Sequence, residues 1–209
     1  MRKFIFAACV VGGGITVAAC SAADTAPNGM GTLVVQLTDA PFLTDSVKSV
    51  DIFVVRVDGR VADVEEAAAD VSVATEEASE AAGWKTLATP NASVDLLSLQ
   101  NGVVSTIGEA KIEAASYNGF RLVIDPSKSS VTLKNGLVLT NTSSPSVAFP
   151  SASRSGIKIN LGGGPVVVDA DGKTTMVVDF DVGSSFVMRG NSLSQNGLLF
   201  KPVIKATVK

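Results

Sequence analysis

Apolar and polar positions alternate with a period of two along most of the chain after residue 30. In Gly31-Thr-Leu-Val-Val-Gln-Leu-Thr-Asp39, Leu33, Val35 and Leu37 fall on one face, as in a strand with one side against a core. Residues 47–57 repeat the pattern, placing Val50, Ile52, Val54 and Arg56 opposite Asp51, Phe53, Val55 and Val57. Further strand-like runs lie at 117–124, 156–161, 166–169, 174–182 and 198–208, separated by Gly, Pro, Asn or Asp. Roughly eight to ten short strands with turns between them predict an all-β chain. The pattern fits an antiparallel β-sandwich of immunoglobulin-like or transthyretin-like type better than a parallel α/β sheet.

Two turns are specific enough to place. Asp171-Gly172 lies between Val166–Asp169 and Thr174–Val178, and Asn135-Gly136 lies between Val131–Leu133 and Leu137–Leu139. Both dipeptides tolerate the positive φ angles of tight turns, so both predict hairpins. Gly162-Gly163-Gly164-Pro165 reads as a tight connection between strands, since no Lys-Ser/Thr follows to make a phosphate loop. The alternation fails at 62–82. There Val64, Ala67, Ala68, Val71, Ala78 and Ala82 recur at helical spacing among seven acidic and no basic residues. This stretch reads as an inserted acidic helix or loop, solvated or offering a surface to a cation or a basic partner.

The amino-terminal residues have a different texture. Arg2 and Lys3 precede an apolar run from Phe4 to Ala19, the form of a secretory signal, and the run is short for a membrane span. Val17-Ala18-Ala19-Cys20 resembles the lipobox of bacterial lipoproteins. The resemblance implies cleavage before Cys20, lipidation of its sulfur and acylation of the new amino terminus, and Ser21 implies delivery to the outer membrane. About two acyl chains suffice for stable anchoring. Residues 1–19 are then a signal peptide, 20–30 a lipidated cysteine with a small polar tether, and 31–209 one domain holding the 62–82 insertion. The expected address is the cell envelope, with the membrane as partner through Cys20.

Composition narrows the chemistry. Without Arg2 and Lys3 the 17 basic residues become 15 against 20 acidic, a net charge of −5. That balance argues against nucleic acid as a partner. Cys9 leaves with the signal and Cys20 carries lipid, so the domain has neither disulfide nor thiol chemistry. The chain has no histidine, which removes Ser-His-Asp and Cys-His hydrolysis and histidine-ligated metal sites. Trp84 and Tyr117 are the only Trp and Tyr, few for a sugar-stacking platform.

The remaining candidates are weak one by one. Asp39, Asp51, Asp125, Asp179 and Asp181 sit at or near strand ends and would bind a cation only if they converged. Asp169-Ala-Asp171-Gly opens like a calcium loop, but the twelfth position is Phe180 rather than Glu. Ser155-Gly-Ile-Lys158 has the spelling of a Ser-x-x-Lys nucleophile, yet it lies in an alternating strand without companion motifs. Lys158 should therefore point away from the core. Asn91-Ala-Ser93 and Asn141-Thr-Ser143 spell glycosylation acceptors, incidental in a chain with a lipobox. Trp84 and Tyr117 are expected to anchor the core or its rim, with their polar tips on backbone acceptors. Arg121 is expected to pair with a carboxylate such as Asp125 or Asp51.

Several segments together resemble a bacterial lipoprotein family known only as domain of unknown function 4382. They are 31–41 ending in Asp39-Ala-Pro41, 47–57, Gly83-Trp84-Lys-Thr-Leu87, Val94-Asp95-Leu-Leu-Ser-Leu99, and 112–123 containing Tyr117 and Arg121. Ala115 stands where the family commonly has Gly before the Tyr-containing strand. The resemblance implies an all-β surface domain and carries no established activity. The sequence thus predicts a lipid-anchored envelope protein whose β-sandwich is a binding or structural module, with a protein or glycan partner and no cofactor. The alternatives are a carboxylate-dependent glycan-active enzyme, and an adhesion or assembly subunit pairing through an edge strand.

Overall fold

The computed structural model describes residues 29–39, 46–62, 83–150 and 155–209. The expectations for the signal peptide, Cys20, the tether up to residue 28, Pro41 and most of the acidic insertion (63–82) fall outside these residues. In chain order the strands are β1 (Met30–Asp39), β2 (Val47–Val61), β3 (Trp84–Ala88), β4 (Ala92–Asp95), β5 (Ser105–Glu113) and β6 (Ala115–Ile124). Then come β7 (Ser130–Leu133), β8 (Val138–Leu139), β9 (Val147–Ala148), β10 (Ile157–Leu161), β11 (Val166–Val168) and β12 (Lys173–Phe180). A single helical turn, α1 (Val182–Ser185), leads to β13 (Phe186–Met188). A second, α2 (Leu193–Asn196), precedes β14 (Leu198–Phe200) and β15 (Ile204–Val208). The predicted all-β character holds, and no helix among the described residues is long and apolar enough to cross a membrane.

The strand pairing departs from the expected antiparallel sandwich. Nine strands run side by side in the order β5-β1-β12-β15-β10-β6-β2-β7-β8, with β11 added to β6 and β3 and β4 to β2. They form one continuous sheet that curls into a half-barrel. Strands β13-β14-β9 make a small second sheet. Three pairs are parallel: β1 with β12, β10 with β15, and β14 with β9. Alternation specifies which face of a strand is buried, whereas neighbour and direction depend on connections it does not encode.

The Asn135-Gly136 hairpin is present. Strands β7 and β8 pair antiparallel, Gly136 has φ 88°, and the Leu133 N–H donates to Leu137 O at 2.8 Å. The Asp171-Gly172 turn also forms, with Asp171 at φ 59°, but it does not make a hairpin. Strand β11 pairs with β6, while β12 pairs with β1 and β15. The turn is therefore an arch between two parts of the sheet. Its backbone continues the ladder of β1, with Asp171 N–H donating to Met30 O and Thr32 N–H to Gly172 O. The glycine-rich connection at 162–165 behaves as expected, joining β10 and β11 along the same edge of β6.

Leu33, Val35 and Leu37 are buried as their alternation requires, beside Met176 and Val178 of the neighbouring strand and in one core with Ile52 and Leu122. In β2 the period slips. Val54 and Val57, expected on opposite faces, are both fully buried, because the pairing of β2 with β6 shifts between Val54 and Arg56. Such a bulge adds one residue and reverses the facing of everything beyond it. Phe200 joins the small sheet to the large one, with ring centroids 6.0 Å from Phe180, 5.0 Å from Phe186 and 5.1 Å from Phe149, distances at which aromatic pairs attract.

The curl brings β5 against β3. Lys85 and Glu113 form an ion pair at 2.7 Å. A Cβ at Gly108 would lie 2.8 Å from the Ala88 Cβ, so the approach depends on a glycine.

Candidate functional site

Asp39 is the last residue of β1, and its carboxylate lies at the far end of the half-barrel from Met30. It is 3% exposed. Its Oδ1 accepts the Val182 N–H at 3.1 Å and its Oδ2 the Gln100 amide at 3.4 Å. Burial pushes its pKa from 3.8 up to about 6, against the lowering effect of these hydrogen bonds and with help from the Asp179 and Asp181 charges. Desolvation and Asp181 also raise Asp179. Asp181 caps α1, accepting from Ser184 N–H and Oγ–H at 2.8 Å each.

The five candidate carboxylates therefore divide. Asp39, Asp179 and Asp181 share one end of the sheet. Asp51 lies on β2 opposite Asp95 and accepts from Ser49 Oγ at 2.9 Å. Asp125 follows β6, its pKa held down by the Ser127 hydroxyl and backbone N–H. Among the described residues no group of three or more acidic or cysteine side chains could hold a metal ion. Lys158 is exposed on β10 between buried Ile157 and Ile159, so the Ser155-x-x-Lys158 spelling follows a strand as expected. Tyr117 is buried and donates its hydroxyl to Glu113 O at 3.0 Å.

Arg121 pairs with neither Asp125 nor Asp51. Its partner is Asp58, 2.8 Å away and 2% exposed. Asp58 also accepts from Arg56 at 3.0 Å and from the Thr86 hydroxyl at 3.0 Å. The β2 bulge turns Asp58 to the side opposite the core valines, into register with Arg121 on β6. Trp84 on β3 then lies beneath the guanidiniums of Arg121 and Arg60, 4.7 and 5.6 Å from its ring centre, close enough for cation–π attraction. A charge between Val57 and Gly59 was the sequence signal for this cluster, but the slip that aims it does not show in the alternation.

A cavity of about 240 Å³ opens beside α1 and the small sheet. Its wall is formed by Val47, Val50, Val131, Phe186, Leu193 and Leu198, most of them buried in the core. Met188, 46% exposed, stands at its edge. Met188 and Leu193 also line an adjoining depression of about 450 Å³, together with Leu133 and the polar residues Ser46, Lys134, Asn135, Asn191, Ser192 and Ser194. An apolar chamber with a few polar groups at its opening is the usual form of a small-molecule site. None of these residues stood out in the sequence, because the wall uses ordinary core positions. The cavity exists because α1 and β13–β14 stand off from the ends of β2 and β7.

No curated protein and no solved structure matches the chain. A family model described as "Domain of unknown function (DUF4382)" matches residues 30–202, nearly the whole described region. It spans Asp39, the Asp58–Arg121–Trp84 cluster and both walls of the cavity, so the chain belongs to the DUF4382 family of domains of unknown function.

Proposed function

We propose that this protein is a lipid-anchored component of a bacterial cell envelope, held at the outer membrane through Cys20. Its β-domain serves as a binding or structural module without catalysis of its own. The observation that carries the binding reading is the apolar cavity with its polar mouth at the Asp39 end of the half-barrel. The address rests on the leader and on Ala18-Ala19-Cys20-Ser21. The two arms of the curled sheet, one with β1 and β12 and the other with β2 and β6, enclose a single core and would correspond to the layers of a sandwich.

Assembly through an edge strand has less support. The exposed face of β5 carries Glu109, Lys111 and Glu113, charges of the kind that discourage edge pairing, and its flank lies against β3. The anchoring test is Cys20→Ala. The variant should move from the membrane pellet to the soluble fraction, and continued co-sedimentation would refute lipid anchoring. For the module, heat-stabilisation of the purified protein by envelope extracts should be lost when the cavity is filled by substitution.

A further inference from the structure

We propose that the cavity binds the tail of a small anionic amphiphile: an unbranched chain of about eight carbons ending in a carboxylate or phosphate. This deepens the binding-module reading and rests on it. The chamber holds 240 Å³, about eight units of the ~30 Å³ that one water occupies, and a methylene is of similar size. Its wall is aliphatic and aromatic, so the part of a ligand that enters must be apolar. A buried hydroxyl or amide there would lack partners.

The head group is selected at the opening. Among the described residues lining the depression Lys134 is the only charged one, and the lining also includes the amides of Asn135 and Asn191 and the hydroxyls of Ser46 and Ser194. With one cation, no carboxylate among the described lining residues and several donors, this rim complements an anion. The chain is otherwise acidic, so a local excess of positive charge at a cavity mouth is a departure that points to a ligand. Two geometric features fit a linear ligand. Lys134 lies next to Leu133 at the end of β7, the strand that also supplies Val131 to the wall. Met188 and Leu193 border both spaces, so tail and head would lie along one continuous path.

The test uses the full-length purified chain and octanoate carrying a terminal photoreactive diazirine. Labelling should saturate, map by peptide mass to Val131, Phe186–Met188 or Leu193–Leu198, and be displaced by unlabelled octanoate better than by octanol. Lys134→Gln should reduce that preference by about two- to five-fold, the range of an exposed ion pair. Leu193→Trp, at a partly exposed wall position, should abolish labelling while leaving the melting transition in place. If Leu193→Trp fails to fold, Lys134→Gln alone still decides the head-group claim. An unchanged acid-over-alcohol preference in Lys134→Gln would overturn it. Saturable labelling elsewhere would sink this cavity and leave a binding module standing, whereas no saturable labelling anywhere counts against both. A concentration-dependent dimer that excludes the probe would assign the cavity to a second copy and overturn the proposal.

Discussion

Two buried carboxylates, Asp39 and Asp58, face opposite electrostatic situations. Asp39 has amide donors but, among the described residues, no cation, and burial holds its pKa near 6. A group whose folded pKa exceeds its unfolded 3.8 contributes full stability below about pH 4 and loses it as the pH rises through 6. With about 1.4 kcal/mol per unit, the loss by pH 7.5 is up to about 3 kcal/mol. Asp39→Asn keeps an acceptor for Val182, and the Gln100 amide can turn to meet it. The variant should therefore be more stable than the parent in urea at pH 7.5 and gain nothing at pH 3.5; an equal effect at both pH values would contradict the assignment. Asp58 instead holds two guanidiniums. Arg121 is 11% exposed and Arg56 35%, so the two pairs should differ in weight. Asp58→Ala should cost about 3 kcal/mol by leaving Arg121 uncompensated, while Arg56→Ala should cost under about 1 kcal/mol. Denaturant midpoints of the two variants check the ordering. That Leu33, Val35 and Leu37 would face the core was legible in the alternation of β1. The burial of Asp39 was not, because it depends on Val182, 143 positions away.

At the scale of elements, period two located most strands and failed wherever a strand's neighbours decided its geometry. The β2 bulge exchanges faces at Val57 because β6 pairs there with a slipped register. The Asp171-Gly172 turn has hairpin chemistry, yet its flanking strands find other partners, so the dipeptide specifies the turn while the sheet decides its use. The contact of β5 with β3 was equally hidden, since Gly108 resembles any strand glycine in a linear string. Its test is steric. Gly108→Ala should destabilise the protein by about 1–3 kcal/mol through overpacking against Ala88, and Ala88→Gly in the same chain should recover part of that loss. Strictly additive losses in the double variant would mean that the two residues do not meet.

On the scale of the whole molecule, the acidic stretch can be tested by removal. Its two ends lie beside the pair Arg60–Trp84, where β2 and β3 begin to separate. A Gly-Ser bridge of about four residues can therefore join Ala62 to Gly83, as in an ordinary hairpin loop. The shortened chain should keep one cooperative unfolding transition with no loss of midpoint, since a shorter loop costs less to close; loss of folding would place 63–82 in the core. The position of β1 has a mechanical consequence. It is the first described strand of the chain, yet it lies inside the sheet, paired with β12 from Thr32 to Asp39 and with β5 from Met30 to Leu37. A pull between the amino-terminal segment and the Asp39 end acts along this strand, so the two ladders are loaded in shear, all their hydrogen bonds at once, and do not unzip one by one. Attachment through that terminus would hold the domain by the strand most resistant to being drawn out.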